Sequence, residues 1–382
     1  MPQPYRADHV GSLLRPPELV KAREDFAEQR ISEDQLRTVE DAAVLKALDL
    51  QRETGIGIYS GGEYRRSGWS NVVRDAVEGL VPVEGSPIAG FLGDWQGPHA
   101  TMANSSMTTL TRGGAMVAGE KLRQVRRLVG TDAEFLKQNS PGPWKMTMPG
   151  ALSASGQLWR AGISDKVYPR RLDLARDLVP MLRSEIATLK ADGCAYIQID
   201  SLHYVERVAD KTIRARMIES GEDPNTYLDE LIAIDNAVLD GAQSAEVTVG
   251  MHMCRGNNRS AWHAEGSYEP VAEKAFSALQ VDRFLLEYDT ERAGGFEPLR
   301  FVPRSKMVVL GLISSKEPEL ESVDSLRRRI DEAARYVPLE NLAITPQCGF
   351  ASTFLGNLLT WDDQKRKLEL VVETARHVWG TQ

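Results

Sequence analysis

Four side chains that lie far apart in the chain are of the types a borderline-soft divalent cation binds. His252 and Cys254 flank Met253 at the end of "EVTVGMHMC", Glu287 closes "RFLLE", and Cys348 follows "LAITPQ". Side chains two apart on a strand share a face, so His252 and Cys254 point one way and Met251 and Met253 the other. A His-x-Cys pair on a strand is half of a zinc site. Glu287 and Cys348, each at another strand end, supply the rest of a tetrahedron of one nitrogen, two sulfurs and one oxygen. Either cysteine alone reads better as a small buried hydrophobe; the four together favour metal. Cys194 opens its strand, at the opposite end from the others, and reads as structural.

The charge of such a donor set indicates its chemistry. Two thiolates and a carboxylate contribute −3 against the +2 of zinc, leaving about −1. A centre this electron-rich is a poor Lewis acid for water. It suits a substrate thiol, which the cation deprotonates near neutral pH while the anionic ligands keep the sulfur nucleophilic. Alkyl transfer to sulfur is the favoured reaction, with hydrolysis second.

Strand-like and helix-like stretches alternate along most of the chain. "GIGIYS", "WKMTM", "AYIQID", "VTVGMH", "RFLLEY" and "MVVLGLI" read as strands, with "LAITPQC" a seventh. Helices are expected from about Ser32, over 164–192 with Gly193 as C-cap, and over about 224–241, 270–279, 323–336 and 361–377. Parallel βα units follow, and their number and the chain length predict an α/β fold, a (β/α)8 TIM barrel. A doubly wound sheet is the fallback, and no G-x-G-x-x-G follows the first strand to support dinucleotide binding. The less regular stretch of about 65–145 is expected to form a loop or hairpin over the barrel mouth. In a barrel, polar residues at C-terminal strand ends converge on one cavity, and Glu63, Asp200, His252, Cys254, Glu287 and Cys348 all lie at such ends.

The 382 residues carry 46 Lys+Arg against 54 Asp+Glu, a net charge of −8. That balance argues against a nucleic-acid backbone as partner. No run reaches the ~18 apolar residues of a membrane span, and the N-terminus lacks a signal-peptide core. Three cysteines make a poor disulfide framework, so reduced thiols in a cytoplasmic setting are expected. Small molecules are the expected partners, and an oligomer is compatible with the composition.

The segments "HVGSLLRP", "GGEYRR", "MPGALS", "YIQID", "HMCRGN", "LLEYD", "LGLISSKEPELES" and "PQCGFAS" resemble the cobalamin-independent methionine synthase family through nearly the whole chain. Full-length synthases have two barrels. This chain resembles the short, single-barrel members, which include thiol alkyltransferases such as epoxyalkane:coenzyme M transferase, so residues 1–382 are expected to form one barrel like the synthases' C-terminal domain. The resemblance makes His252, Cys254, Glu287 and Cys348 zinc ligands. It assigns the amino-acid part of homocysteine to Gly11-Ser12 and Glu63, with Asp200 also contacting substrate. Carboxylates facing an ammonium group form charge-assisted hydrogen bonds; the alternative for Glu63 is an ion pair with Arg65 or Arg66. His9, beside the Gly-Ser pair, belongs either to the pocket or to a loop.

Two departures from the family fall at the expected pocket. "IQID" continues as Ser201-Leu202-His203-Tyr204 where the family has Glu-Pro or a similar polar pair, and the first strand end reads Gly61-Gly62-Glu63 instead of Asp-Gly-Glu. His203 is thereby placed either as a general acid for the leaving group or as a packed histidine. Trp69, Trp95 and Trp159 fall in irregular stretches that could cover the cavity, where each reads first as simple packing and otherwise as a face on which a flat donor stacks. The expected function is zinc-dependent methyl transfer to a homocysteine-like thiol from a methylated folate or similar donor. An epoxide or non-folate methyl donor is the alternative, followed by a non-catalytic zinc protein and a metal-free decarboxylase-like barrel.

Overall fold

The computed structural model describes residues 4–66, 68–84, 95–110 and 115–380. Two helices, α1 (Pro17–Ala27) and α2 (Glu33–Thr54), open the chain. Ser32 caps α2 in a reciprocal capping box with Gln35, and Gly55 ends it at φ 86°, a left-handed conformation that suits glycine. An antiparallel hairpin follows, β1 (Val77–Val83) with β2 (Ala115–Gln124), and α3 (Ala100–Leu110) lies between its strands in sequence. After α4 (Gly130–Asn139), strands alternate with helices: β3 (Lys145–Pro149), α5 (Ala151–Leu158), α6 (Arg171–Ala191), β4 (Tyr196–Ser201), α7 (Lys211–Glu219), α8 (Pro224–Leu239), β5 (Thr248–Met253), α9 (Glu269–Ala278), β6 (Arg283–Glu287), β7 (Met307–Ile313), α10 (Val323–Ala333), β8 (Leu342–Pro346) and α11 (Trp361–Trp379).

Strands β3 to β8 pair in sequential order, all parallel. Two short segments supply the remaining staves of the barrel. Ala7 bridges Ile344 of β8, with Asp8 N donating to Ile344 O at 3.0 Å, and Tyr59 bridges Trp144 beside β3. Between these two segments, Leu13 N donates to Gly62 O at 3.1 Å and a His9 ring nitrogen lies 3.1 Å from Ile58 O. The expected strand "GIGIYS" is thus a single bridge at Tyr59.

The period-two alternation of the strands places their polar residues. Lys145, Tyr196 and Arg283 begin β3, β4 and β6 and gather around Asp8, with Lys145 Nζ 2.9 Å from Asp8 Oδ1 and Arg283 3.8 Å from Oδ2. Gly250 of β5 makes room here, because a Cβ on it would meet the Tyr196 hydroxyl at 2.8 Å. Two and four residues further along the strands come Gln198 and then Asp200, His252 and Glu287. The intervening Ile197, Ile199, Met251, Met253, Phe284 and Leu286 join the main apolar core.

One further expectation needs correction. The helix expected over 164–192 begins only at Arg171, after a short turn at Ser164–Lys166. Pro169 disfavours helical backbone at Tyr168, which breaks the run. The irregular stretch forms a hairpin as expected: β2 packs beside α5, the helix that follows the C-terminal end of β3, and Tyr168 OH accepts from Leu122 N at 2.8 Å. α3 sits on the loop after β5, through Asn258 Nδ2 to Ala103 O at 3.1 Å. Parts of the expected covering loop, 85–94 and 111–114, lie outside the described residues.

Candidate metal centre

At the C-terminal ends of β5, β6 and β8 the ligand atoms of His252, Cys254, Glu287 and Cys348 all lie within 4.8 Å of one another, and all four residues are buried. The strands dictate this. His252 and Glu287 are inward residues of β5 and β6, Cys254 lies one residue beyond β5, and Cys348 lies two beyond β8. His252 Nδ1 faces Leu285 O at 3.2 Å, which orients the ring, while its Nε2 is buried with no hydrogen-bond partner. Glu287 Oε1 accepts from Arg255 N at 2.9 Å, and Arg292 reaches Oε2 at 3.4 Å. Cys254 Sγ accepts from Gly256 N at 3.2 Å and lies 3.4 Å from Cys348 Sγ.

This constellation fits zinc. Two sulfurs bound at ~2.3 Å to one tetrahedral ion stand about 3.8 Å apart, close to the separation found between these two free thiols. The protonation pattern agrees. The hydrogen bond between the sulfurs holds Cys348 well below the ordinary thiol range and pushes Cys254 above it. Burial opposes charge on His252, yet Cys348, Asp200 and Glu287 around the ring raise it to about 9. Burial would raise Glu287, but Arg292, Arg255, Lys316 and His252 keep its carboxyl below the usual range. A site that gathers protons onto clustered donor atoms is one a cation discharges on binding.

Sequence patterning overlooks the cations that support this cluster. Arg255 grips the Tyr268 hydroxyl at 2.8 Å and Glu287 O at 3.0 Å, which ties the loop after β5 to the end of β6. Lys316 is buried, with Nζ 2.7 Å from Asn257 Oδ1 and 3.2 Å from Gly256 O. Its charge offsets the excess negative charge of the ligand set. The sequence signals are slight: Arg255 and Asn257 sit within "HMCRGN", and Lys316 within "SSKEP" just after a strand.

Three of the residues expected to hold substrate, Asp200, Glu63 and Ser12, lie near the metal cluster. Asp200 pairs in register with His252 across β4 and β5, and burial, with Glu63 and Cys348 adding to it, raises its carboxyl to about 7. Glu63 is buried at φ 62°, a strained left-handed conformation for a glutamate. Its Oε1 accepts from Thr147 Oγ1 at 2.6 Å and lies 3.7 Å from Arg66, so the expected arginine contact exists inside the protein, while Oε2 has no hydrogen-bond partner. Gly11 allows this approach, since a Cβ there would meet Thr147 Cγ2 at 2.7 Å and Glu63 Oε1 at 3.1 Å. Ser12 O accepts from Phe350 N at 2.8 Å, which joins the opening segment to the Cys348 loop. His9 is fully buried between Lys145 and Ile58 O, and burial, with Lys145 adding to it, lowers it to about 4. Its position is therefore that of a neutral packed imidazole at the barrel seam.

His203 lies apart from the metal ligands, in a cleft it shares with Trp69, Leu202, Glu206, Arg171 and Arg207. Its Nδ1 is 3.3 Å from the Tyr227 hydroxyl and 3.7 Å from Glu206. Burial, with Arg171 and Arg207 adding to it, drives its pKa well below the ordinary value. The ring is held as imidazole, which suits hydrogen bonding rather than proton donation. Leu202 packs with Cys254 and Cys348, and Trp69 lies against them. One apolar wall therefore separates the cleft from the two sulfurs. Of the other tryptophans, Trp159 donates its ring N–H to Tyr168 O at 2.8 Å, and Trp95 packs edge-on against His263.

Comparison with known proteins follows the same lines. Residues 7–377 match the family described as cobalamin-independent synthase, catalytic domain. The protein YxjH of Bacillus subtilis (strain 168) is 36% identical over 384 residues, covering 98% of this chain and 95% of its own. The 5-methyltetrahydropteroyltriglutamate–homocysteine methyltransferase of Buchnera aphidicola is 21% identical, over 96% of this chain and 42% of its own. Among solved structures, one described as a vitamin-B12 independent methionine synthase from Listeria monocytogenes superposes with a TM-score of 0.72 at 25% identity, covering 100% of this chain and 99% of its own. A B12-independent methionine synthase from Shewanella sp. W3-18-1, in complex with selenomethionine, gives 0.69 at 20% identity, covering 98% of each.

Proposed function

Because the chain belongs to the cobalamin-independent synthase family through its catalytic domain, we propose that it is a zinc-dependent methyltransferase acting on a thiol, with homocysteine as acceptor. Residues 1–382 act as one catalytic barrel in this reading, and a methylated folate or a similar compound is the donor. The observation that carries it is the convergence of His252, Cys254, Glu287 and Cys348 within 4.8 Å, with His252 Nε2 left unpartnered. When bound there, zinc lowers the pKa of a substrate thiol and presents its sulfur as a nucleophile at neutral pH.

The chain's own residues do the rest. In this reading Glu63 and Asp200 hold the ammonium group of the amino acid by charge-assisted hydrogen bonds. Ser12, tied to the Cys348 loop, stands at the same end. Arg255 and Arg292 fix the Glu287 carboxylate, and Lys316 balances the charge of the ligand set. Trp69 and Leu202 shield the sulfurs from water, which preserves the nucleophile. Among the described residues no helix is long and apolar enough to cross a membrane, and a cytoplasmic setting that keeps Cys254 and Cys348 reduced suits this chemistry.

X-ray absorption at the zinc edge, with homocysteine titrated in, tests the reading. An additional sulfur should enter the ligand shell, and methionine should form when a methyl donor follows. A ligand shell that never changes on adding thiol removes the basis for transfer to sulfur.

A further inference from the structure

Each sulfur of the metal cluster has a hydrogen-bond donor beside it, and the two donors differ in kind. Cys254 Sγ takes the backbone N–H of Gly256 at 3.2 Å. Cys348 Sγ lies 3.7 Å from the Ser352 hydroxyl, and the groups behind that hydroxyl fix which atom donates. The line starts at Lys316, on the loop after β7, whose buried Nζ faces three oxygens: Asn257 Oδ1 at 2.7 Å, Gly256 O at 3.2 Å and Ala261 O at 3.3 Å. Carbonyl oxygens only accept, so serving three of them takes the three hydrogens of an ammonium group. The Asn257 amide is thereby oriented with its oxygen toward Lys316. Its Nδ2 then donates to Gly349 O at 2.6 Å and to Ser352 Oγ at 3.1 Å. With a lone pair of Oγ so engaged, the Ser352 hydrogen is left for Cys348 Sγ. Every bond in the line points from the lysine charge toward the sulfur, and such chains strengthen each member in turn.

We propose that Ser352, polarised by Lys316 through Asn257, is a positioning residue that masks Cys348, so that methyl goes to the substrate sulfur and not to the protein. The inference rests on the thiol-methylation reading above. A centre with two cysteine thiolates and one substrate thiolate offers an incoming methyl three sulfurs of one kind. A hydrogen bond occupies a lone pair and draws charge off the sulfur, which lowers its nucleophilicity. Gly256 does this for Cys254 and Ser352 for Cys348. Both donors are committed to the cysteines, so an entering thiol keeps its lone pairs for carbon. Misdirected transfer would form an S–CH3 bond on Cys348 while the donor's heteroatom keeps the electron pair of the broken bond. It would leave a thioether where the metal needs a thiolate.

The test uses the zinc-loaded full-length chain with methyl iodide as probe, which gives methyl to a sulfur lone pair and releases iodide. Peptide mass spectrometry reads S-methylation of Cys348 and Cys254 separately, so Cys254 serves as the internal reference. Ser352→Ala should raise the Cys348 rate on the order of tenfold, the weight of one hydrogen bond to a charged acceptor, and leave Cys254 unmoved. Ser352→Thr keeps the hydroxyl and should stay near wild type. Asn257→Asp replaces the donating NH2 by an acceptor, turns the Ser352 hydrogen toward the new carboxylate and should match Ser352→Ala. In the cobalt-substituted chain, the sulfur-to-cobalt charge-transfer band should move to longer wavelength in Ser352→Ala, because a sulfur relieved of its hydrogen bond gives up an electron more easily. Circular dichroism confirms that each variant is folded. An unmoved Cys348 rate or band in folded Ser352→Ala overturns the proposal, as do equal gains at both cysteines or a threonine variant that behaves like alanine. Asn257→Asp at the wild-type rate overturns the part given to Lys316 and Asn257. None of these readouts needs homocysteine or a methyl donor, so they stand apart from the proposed function, which a zinc shell closed to homocysteine strikes instead.

Discussion

Cys348→Ser separates a catalytic from a structural metal. Cys348 Sγ lies 3.4 Å from Cys254 Sγ and within the 4.8 Å cluster, and a serine hydroxyl is a poor zinc ligand at neutral pH. Zinc sites of four ligands are worth about 10–16 kcal/mol, so one ligand carries roughly 3–4 kcal/mol, or about 10²–10³-fold in affinity. Packing loss should be far smaller. Cys348 belongs to a satellite cluster with Leu202 and Cys254, separate from the main core, and Oγ replaces Sγ with little change of shape. A stability cost of about 1 kcal/mol follows. Competition with a zinc-binding dye measures the affinity, and urea unfolding the stability. Expected is a folded protein, about 10²–10³-fold weaker in zinc affinity and without methyl transfer. Zinc affinity equal to wild type would refute the assigned ligand set, and global unfolding would mean that the metal holds the fold together.

Three further perturbations test other parts of the structure. Lys145→Met leaves Asp8 buried with Arg283 at 3.8 Å as its remaining cation and the His9 N–H at 2.8 Å, and urea unfolding should show a loss of about 3–5 kcal/mol; a neutral result would mean that the barrel floor tolerates loss of the lysine. Gly11→Ala forces a Cβ against Thr147 and Glu63 at a φ of 142°, so KM for homocysteine should rise on the order of tenfold while zinc affinity stays unchanged; altered zinc binding would contradict the separation of the two sites. Burial raises Asp235 from 3.8 to about 7. The folded state therefore binds the proton more tightly, and the stability this contributes is present below about 3.8 and lost as pH rises to about 7. Asp235→Asn should accordingly be more stable than wild type at pH ~8, by at most a few kcal/mol, and gain little at pH ~4; a gain independent of pH would show that ionisation of Asp235 is not its cause.

Much of this was legible in the amino-acid order because the code is local. Alternation with period two turns His252 and Glu287 inward once "VTVGMHM" and "RFLLE" are strands, and glycine and proline mark where the strands end. The four potential ligands, the parallel order and the barrel all follow from such patterns, and the short motifs carry the family resemblance. What tertiary structure alone decided is what depends on neighbours from other segments. The first two staves shrink to bridges at Ala7 and Tyr59, since their hydrogen bonds are shared with strands far along the chain. His9 becomes a neutral wedge beside Lys145. His203 faces a cleft with two arginines and is kept unprotonated there. Lys316 balances a metal cluster formed by residues from three other strand ends. Residue types and spacing report which groups a segment can offer; burial and the charge of distant partners set their protonation, and these exist only once the chain has closed on itself.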